Sequence, residues 1–71
     1  MTAHKPASET RIAFIGLGHM GGPMAGNLVA AGYTVLGHDS ALAAVDAARQ
    51  RGVITVASVA EAVSGADVIL T

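Results

Sequence analysis

Seventy-one residues carrying four Lys+Arg against five Asp+Glu hold one small domain at most, and their net charge of −1 gives no electrostatic footing for nucleic acid or an anionic membrane. Hydrophobic residues make up 52% of the chain, yet glycine and polar residues break every apolar run well before membrane-spanning length. The absence of cysteine excludes a disulfide framework and thiolate chemistry, and is compatible with a cytoplasmic location.

Residues 1–10 are polar, lack the apolar core of a signal peptide and read as a flexible leader. The apolar stretch Ile12-Ala13-Phe14-Ile15 then predicts a strand over 11–15, followed by a glycine-rich turn and a helix over about 19–31. Pro23 falls in the first turn of that helix, where its missing N–H costs no hydrogen bond. Met20, Met24 and Leu28 recur at helical spacing and form a stripe suited to lie on a sheet. Gly32 supplies a C-cap, and Tyr33-Thr34-Val35-Leu36-Gly37-His38 reads as a second strand running up to Asp39.

Ser40 is a candidate N-cap for a second helix over 41–51, with Leu42, Val45 and Ala48 facing inward and Gly52 closing it. A third strand follows over 53–56. Ser58-Val59-Ala60-Glu61 spells a capping box for a short helix reaching Ser64. Gly65 then leads to a fourth strand over 67–71, whose position calls for a further connection and helix to cover it. Strand and helix alternate throughout. That pattern predicts an α/β fold, namely the first half of a Rossmann-type, doubly wound parallel sheet with right-handed crossovers, over residues 11–71.

Gly16, Gly18 and Gly21 form a GxGxxG placed between the first strand and the first helix. In that setting Gly16 permits the tight turn, Gly18 lets backbone approach a pyrophosphate, and Gly21 lets the helix pack close to the strand. The phosphates would meet free amides at a helix N-terminus, including those of Leu17 and Met20, where the macrodipole favours negative charge. Asp39 lies about twenty residues further on, at the spacing of the carboxylate that grips the adenosine ribose. Ser40 follows it instead of an arginine, so the residues favour NAD over NADP. The candidate cofactor-binding set is therefore Gly16, Leu17, Gly18, His19, Met20, Gly21, Asp39 and Ser40.

Plainer readings stand beside these. The glycines could serve only a strand-to-helix turn, and Asp39 could cap the next helix. His19 reads first as a surface histidine, and His38 as lining the adenine edge or facing solvent. With His4 in the leader, the three histidines are too scattered for a metal site. Asn27 sits mid-helix and suggests a structural hydrogen bond, while Asp46, Glu61 and Asp67 read as surface or strand-end residues.

The run from Phe14 to Leu28 has two apolar residues, then G-L-G-x-M-G-x-x-M-[S/A]-x-N and another apolar residue. Ala31, Gly32, Val35 and Asp39 continue it as A-G-x-x-V-x-x-x-D. This pattern resembles the β-hydroxyacid dehydrogenase family (3-hydroxyisobutyrate dehydrogenase-like), and it covers nearly everything after the leader. NADP-using members often carry N-R-[S/T] after the second strand, from which Asp39-Ser40-Ala41 departs. The resemblance implies a parent enzyme that passes a hydride between a short β-hydroxy acid and NAD, and that assembles as a homo-oligomer. It places the lysine acid/base and the serine-glycine-glycine substrate loop beyond residue 71, so no catalytic residue is assigned here. Two alternatives stay open: an NADP-linked semialdehyde or imine reductase of the same superfamily, and a non-catalytic dinucleotide-sensing module.

Overall fold

Ile12, Ala13 and Phe14 form a continuous buried run, as a parallel strand covered on both faces requires. They lie in β1 (Arg11–Ile15), and the chain then alternates through α1 (Gly21–Ala30), β2 (Thr34–His38), α2 (Leu42–Gln50), β3 (Ile54–Thr55), α3 (Val59–Val63) and β4 (Val68–Leu70). The computed structural model describes residue 6 and residues 9–18 and 21–71. Most of the predicted leader lies outside the described residues. Of its remainder, the Pro6 carbonyl accepts the Glu9 and Thr10 N–H groups and so forms a turn.

The four strands make one sheet in the order β3-β2-β1-β4. Every pairing is parallel, with Ile12 beside Val35 and Val68, and Leu36 beside Ile54. Right-handed crossovers in this order put α1 and α2 on one face and α3 on the other. The first face holds the main core, in which Ile12, Phe14, Leu17, Ala25, Val35, Ala48 and Val53 pack together. Ala13 and Leu36 alternate onto the second face, where Ala62 of α3 is buried. This is the Rossmann-type arrangement read from the alternation of elements, and the strand and helix boundaries agree to within two residues.

Two helix faces differ from expectation. In α1 the buried residues are Gly22 and Ala25, whereas Met24 is 51% exposed and Leu28 only partly covered. Gly22 and Ala25 take the closest approach to the sheet, Leu28 and Val29 pack against the edge of the core, and Met24 lies beside Leu70 on the β4 side. Met20 lies outside the described residues. In α2, Ala48 is buried as read, but Leu42 is 79% exposed and lines an open cleft instead of the core. The capping box is half formed: Ser58 Oγ accepts the Glu61 N–H at 3.1 Å.

Candidate functional site

The C-terminal ends of β1 and β2 meet at the crevice where open α/β sheets place their ligands. Chain direction dictates what stands there: the turn leaving β1 and the turn leaving β2. Gly16 opens the first at φ +92°, a left-handed conformation that side-chain-bearing residues rarely adopt. Its N–H donates to the His38 carbonyl at 2.9 Å, which extends the β1–β2 ladder by one bond. Leu17 then turns its side chain inward and is only 2% exposed.

Room for Leu17 comes from a residue that the sequence reading passed over. Gly37 sits in the middle of β2, and a Cβ there would lie 2.8 Å from Leu17 Cδ1 and 2.9 Å from Val53 Cγ1. A glycine inside a strand pattern is itself a signal of close approach. Gly21 answers the same need at the start of α1. A Cβ on it would collide with the Gly16 carbonyl oxygen and lie 3.2 Å from Phe14 Cε1. Gly18 is the opposite case, since a Cβ there would meet nothing within 4 Å. It borders open space.

The amides of this turn divide into two groups. Those of Gly16 and Leu17 are engaged, the second by Asp39 Oδ2 at 2.7 Å. The Leu17 N–H therefore points to the carboxylate, a correction to the expectation that it faces phosphate: a charged acceptor at hydrogen-bonding distance captures it first. The amides of Gly18 and Gly21 make no hydrogen bond among the described residues. They are the orphan donors of a helix N-terminus. His19 and Met20 lie outside the described residues.

Asp39 ends β2 facing this turn, and its second oxygen, Oδ1, accepts the Ala41 N–H at 2.8 Å. The Ala41 amide, then that of Leu17, holds the carboxyl below its ordinary pKa, and His38 adds to the effect. Ser40 is not the N-cap of α2. Ala41 occupies that position without a side-chain bond, because the Asp39 carboxylate reaches past Ser40 to the Ala41 amide. Ser40 is exposed, and with Gly16, His38 and Asp39 it lines an open cleft of about 270 Å³.

A second cleft of about 330 Å³ adjoins the first, between α2 and the end of β3, bounded by His38, Leu42, Val45 and Val56. The His38 ring sets its floor through a 3.2 Å contact between Nδ1 and the Val56 carbonyl. Its far wall carries Arg49, whose guanidinium is shared between Thr55 Oγ1 and Asp46. His38 and Asp39 line both clefts, so the two open into one crevice beside the glycine turn.

Fold and site together define a dinucleotide-binding domain of the Rossmann type. Residues 11–71 match the family described as the NAD binding domain of 6-phosphogluconate dehydrogenase, and the chain belongs to that family. It is 52% identical over 62 residues to a probable 3-hydroxyisobutyrate dehydrogenase of Mycobacterium tuberculosis, covering 87% of this chain and 21% of that one. It is 49% identical over 61 residues to the NAD-dependent L-serine dehydrogenase of Pseudomonas aeruginosa, covering 86% and 20%. Identity to human mitochondrial 3-hydroxyisobutyrate dehydrogenase is 42% over 65 residues, covering 92% and 19%. The solved structure of the M. tuberculosis 3-hydroxyisobutyrate dehydrogenase with L-serine superposes with a TM-score of 0.83 over 84% of this chain and 21% of that one. The chain thus spans about a fifth of the length of these relatives.

Proposed function

We propose that residues 11–71 bind the adenosine and pyrophosphate half of NAD in a dehydrogenase of short β-hydroxy acids. The observation that carries this is the meeting of Asp39 with the glycine turn at Leu17, next in the chain to Gly18, whose amide makes no hydrogen bond among the described residues. In this reading the Gly18 and Gly21 amides hold the pyrophosphate. Asp39 accepts the ribose hydroxyls, Ser40 borders the ribose, and the neighbouring cleft takes the adenine. Gly16 and Leu17 shape the turn without touching phosphate. NAD, when bound, supplies the hydride acceptor for alcohol oxidation.

NAD is favoured over NADP by charge. Asp39 opposes a 2′-phosphate, and Arg49, the described cation of the adjoining cleft, is already held by Thr55 and Asp46. The substrate class rests on the relatives, which are named for 3-hydroxyisobutyrate and L-serine, both β-hydroxy acids. No described residue serves as an acid/base in this reading. That group, the nicotinamide pocket and the contacts of a homo-oligomer are assigned to the part of such enzymes outside the aligned fifth. The test is a comparison of kcat/KM for NAD and NADP in the complete enzyme, with 3-hydroxyisobutyrate and L-serine as substrates. A marked preference for NAD with either alcohol supports the proposal. A preference for NADP removes the role given to Asp39.

A further inference from the structure

The Asp39 carboxylate is divided between two backbone donors on different elements. Oδ2 takes the N–H of Leu17, 22 residues earlier in the chain, while Oδ1 takes the N–H of Ala41 ahead of α2. We propose that Asp39 is a positioning residue that ties the glycine turn to the β2–α2 turn and so holds the Gly18 and Gly21 amides set for phosphate.

Three attachments hold the turn. Its start is fixed by the Gly16 N–H on the His38 carbonyl, and its apolar anchor is Leu17, seated over Gly37. The third attachment is the Leu17 N–H on Asp39, in which a charged side chain is the acceptor. Without it a partly buried donor is left unpaired just ahead of the two orphan amides. A carboxylate suits this task because it offers two oxygens with about four lone-pair sites. The lone pairs left beside these backbone bonds can accept ribose hydroxyls, so the tie need not open when a nucleotide binds. Asparagine has one acceptor oxygen and would turn its NH₂ toward one of the two donors. Serine or alanine at this position leaves both without their carboxylate partner.

The benefit to cofactor binding rests on the NAD reading above, whereas the tie itself is a property of the ligand-free chain. Amide NMR of the complete polypeptide without cofactor tests it, comparing the natural sequence with Asp39→Asn, Asp39→Ala and Ser40→Ala. The Leu17 and Ala41 amide protons should resonate downfield in the natural sequence and move upfield together in Asp39→Ala. Exchange at Leu17 should speed up by about 10- to 100-fold, the loss expected for a bond to a charged acceptor. Asp39→Asn should displace one of the two resonances far more than the other, and Ser40→Ala neither. The amides of Ile12, Ala13 and Phe14 report whether the sheet is intact. If Asp39→Ala loses those signals, the near-isosteric Asp39→Asn decides. Unmoved Leu17 and Ala41 resonances in a folded Asp39 variant overturn the tie. Titrating NAD into the same samples keeps the two ideas apart: selective amide shifts without NAD binding leave the tie standing and remove the NAD reading, and NAD binding with unmoved amides does the reverse.

Discussion

Spacing marked Asp39 as the ribose carboxylate, and the structure sets it against the glycine turn through the Leu17 N–H. Its partners were not legible, because the contact spans 22 residues and depends on how far Leu17 sinks into the core. Ser40 misled for a related reason: serine is a good N-cap, but a carboxylate one residue earlier competes for the same amide and forms the stronger bond. A pH dependence follows. The folded chain holds Asp39 below the usual aspartate value, through the Ala41 amide first and the Leu17 amide second. Its charged form therefore stabilises the fold fully above about pH 4, the unfolded value, and this contribution fades as pH falls through the lower folded value. Urea unfolding midpoints of the natural sequence and Asp39→Asn should differ by a constant amount at neutral pH and converge in acid. A difference that persists unchanged down to about pH 3 contradicts the assignment.

At the scale of elements, the alternation of strand and helix was readable because each apolar run ends in a residue that the next turn needs. Which helix face turns inward was harder to read. Periodicity pointed to Met20, Met24 and Leu28; Leu28 packs against the core, but Gly22 and Ala25 are the fully buried residues and Met24 is exposed. The close approach of α1 is set by Gly21, whose missing Cβ leaves space for the Gly16 carbonyl. The glycines of one motif should therefore fail in different ways. Gly21→Ala should lower stability by about 1–3 kcal/mol or more through overpacking against backbone, read from denaturant midpoints. Gly18→Val should shift that midpoint by no more than about 0.5 kcal/mol, since its side chain enters open space, yet abolish NAD binding by filling the phosphate approach. Equal loss of stability in both variants would show that the motif is a packing device alone. Ser58→Ala should cost about 0.5–2 kcal/mol by uncapping α3, and a helix signal unchanged at Val59–Val63 would argue against the cap.

At the scale of the whole molecule, apolar surface lies open along one edge of the sheet. β4 is an edge strand, with Val68 43% and Ile69 52% exposed, and Met24 and Leu28 border the same open side. A polypeptide of residues 1–71 alone should therefore unfold with low cooperativity and associate as concentration rises, as sedimentation velocity would register. One ending before β4 should be worse, because Ala13 and Phe14 would lose the neighbours paired with them. A sharp unfolding transition from a strictly monomeric 1–71 would contradict this. The central claim remains the cofactor assignment, and calorimetric titration of the complete polypeptide with NAD and NADP tests it most directly. The natural sequence should bind NAD more tightly, and the combined change Asp39→Asn with Ser40→Arg should shift the preference toward NADP by about tenfold or more, as expected when a charge repulsion becomes a charged hydrogen bond. Tighter binding of NADP by the natural sequence, or a preference that the double change leaves where it was, would contradict the account.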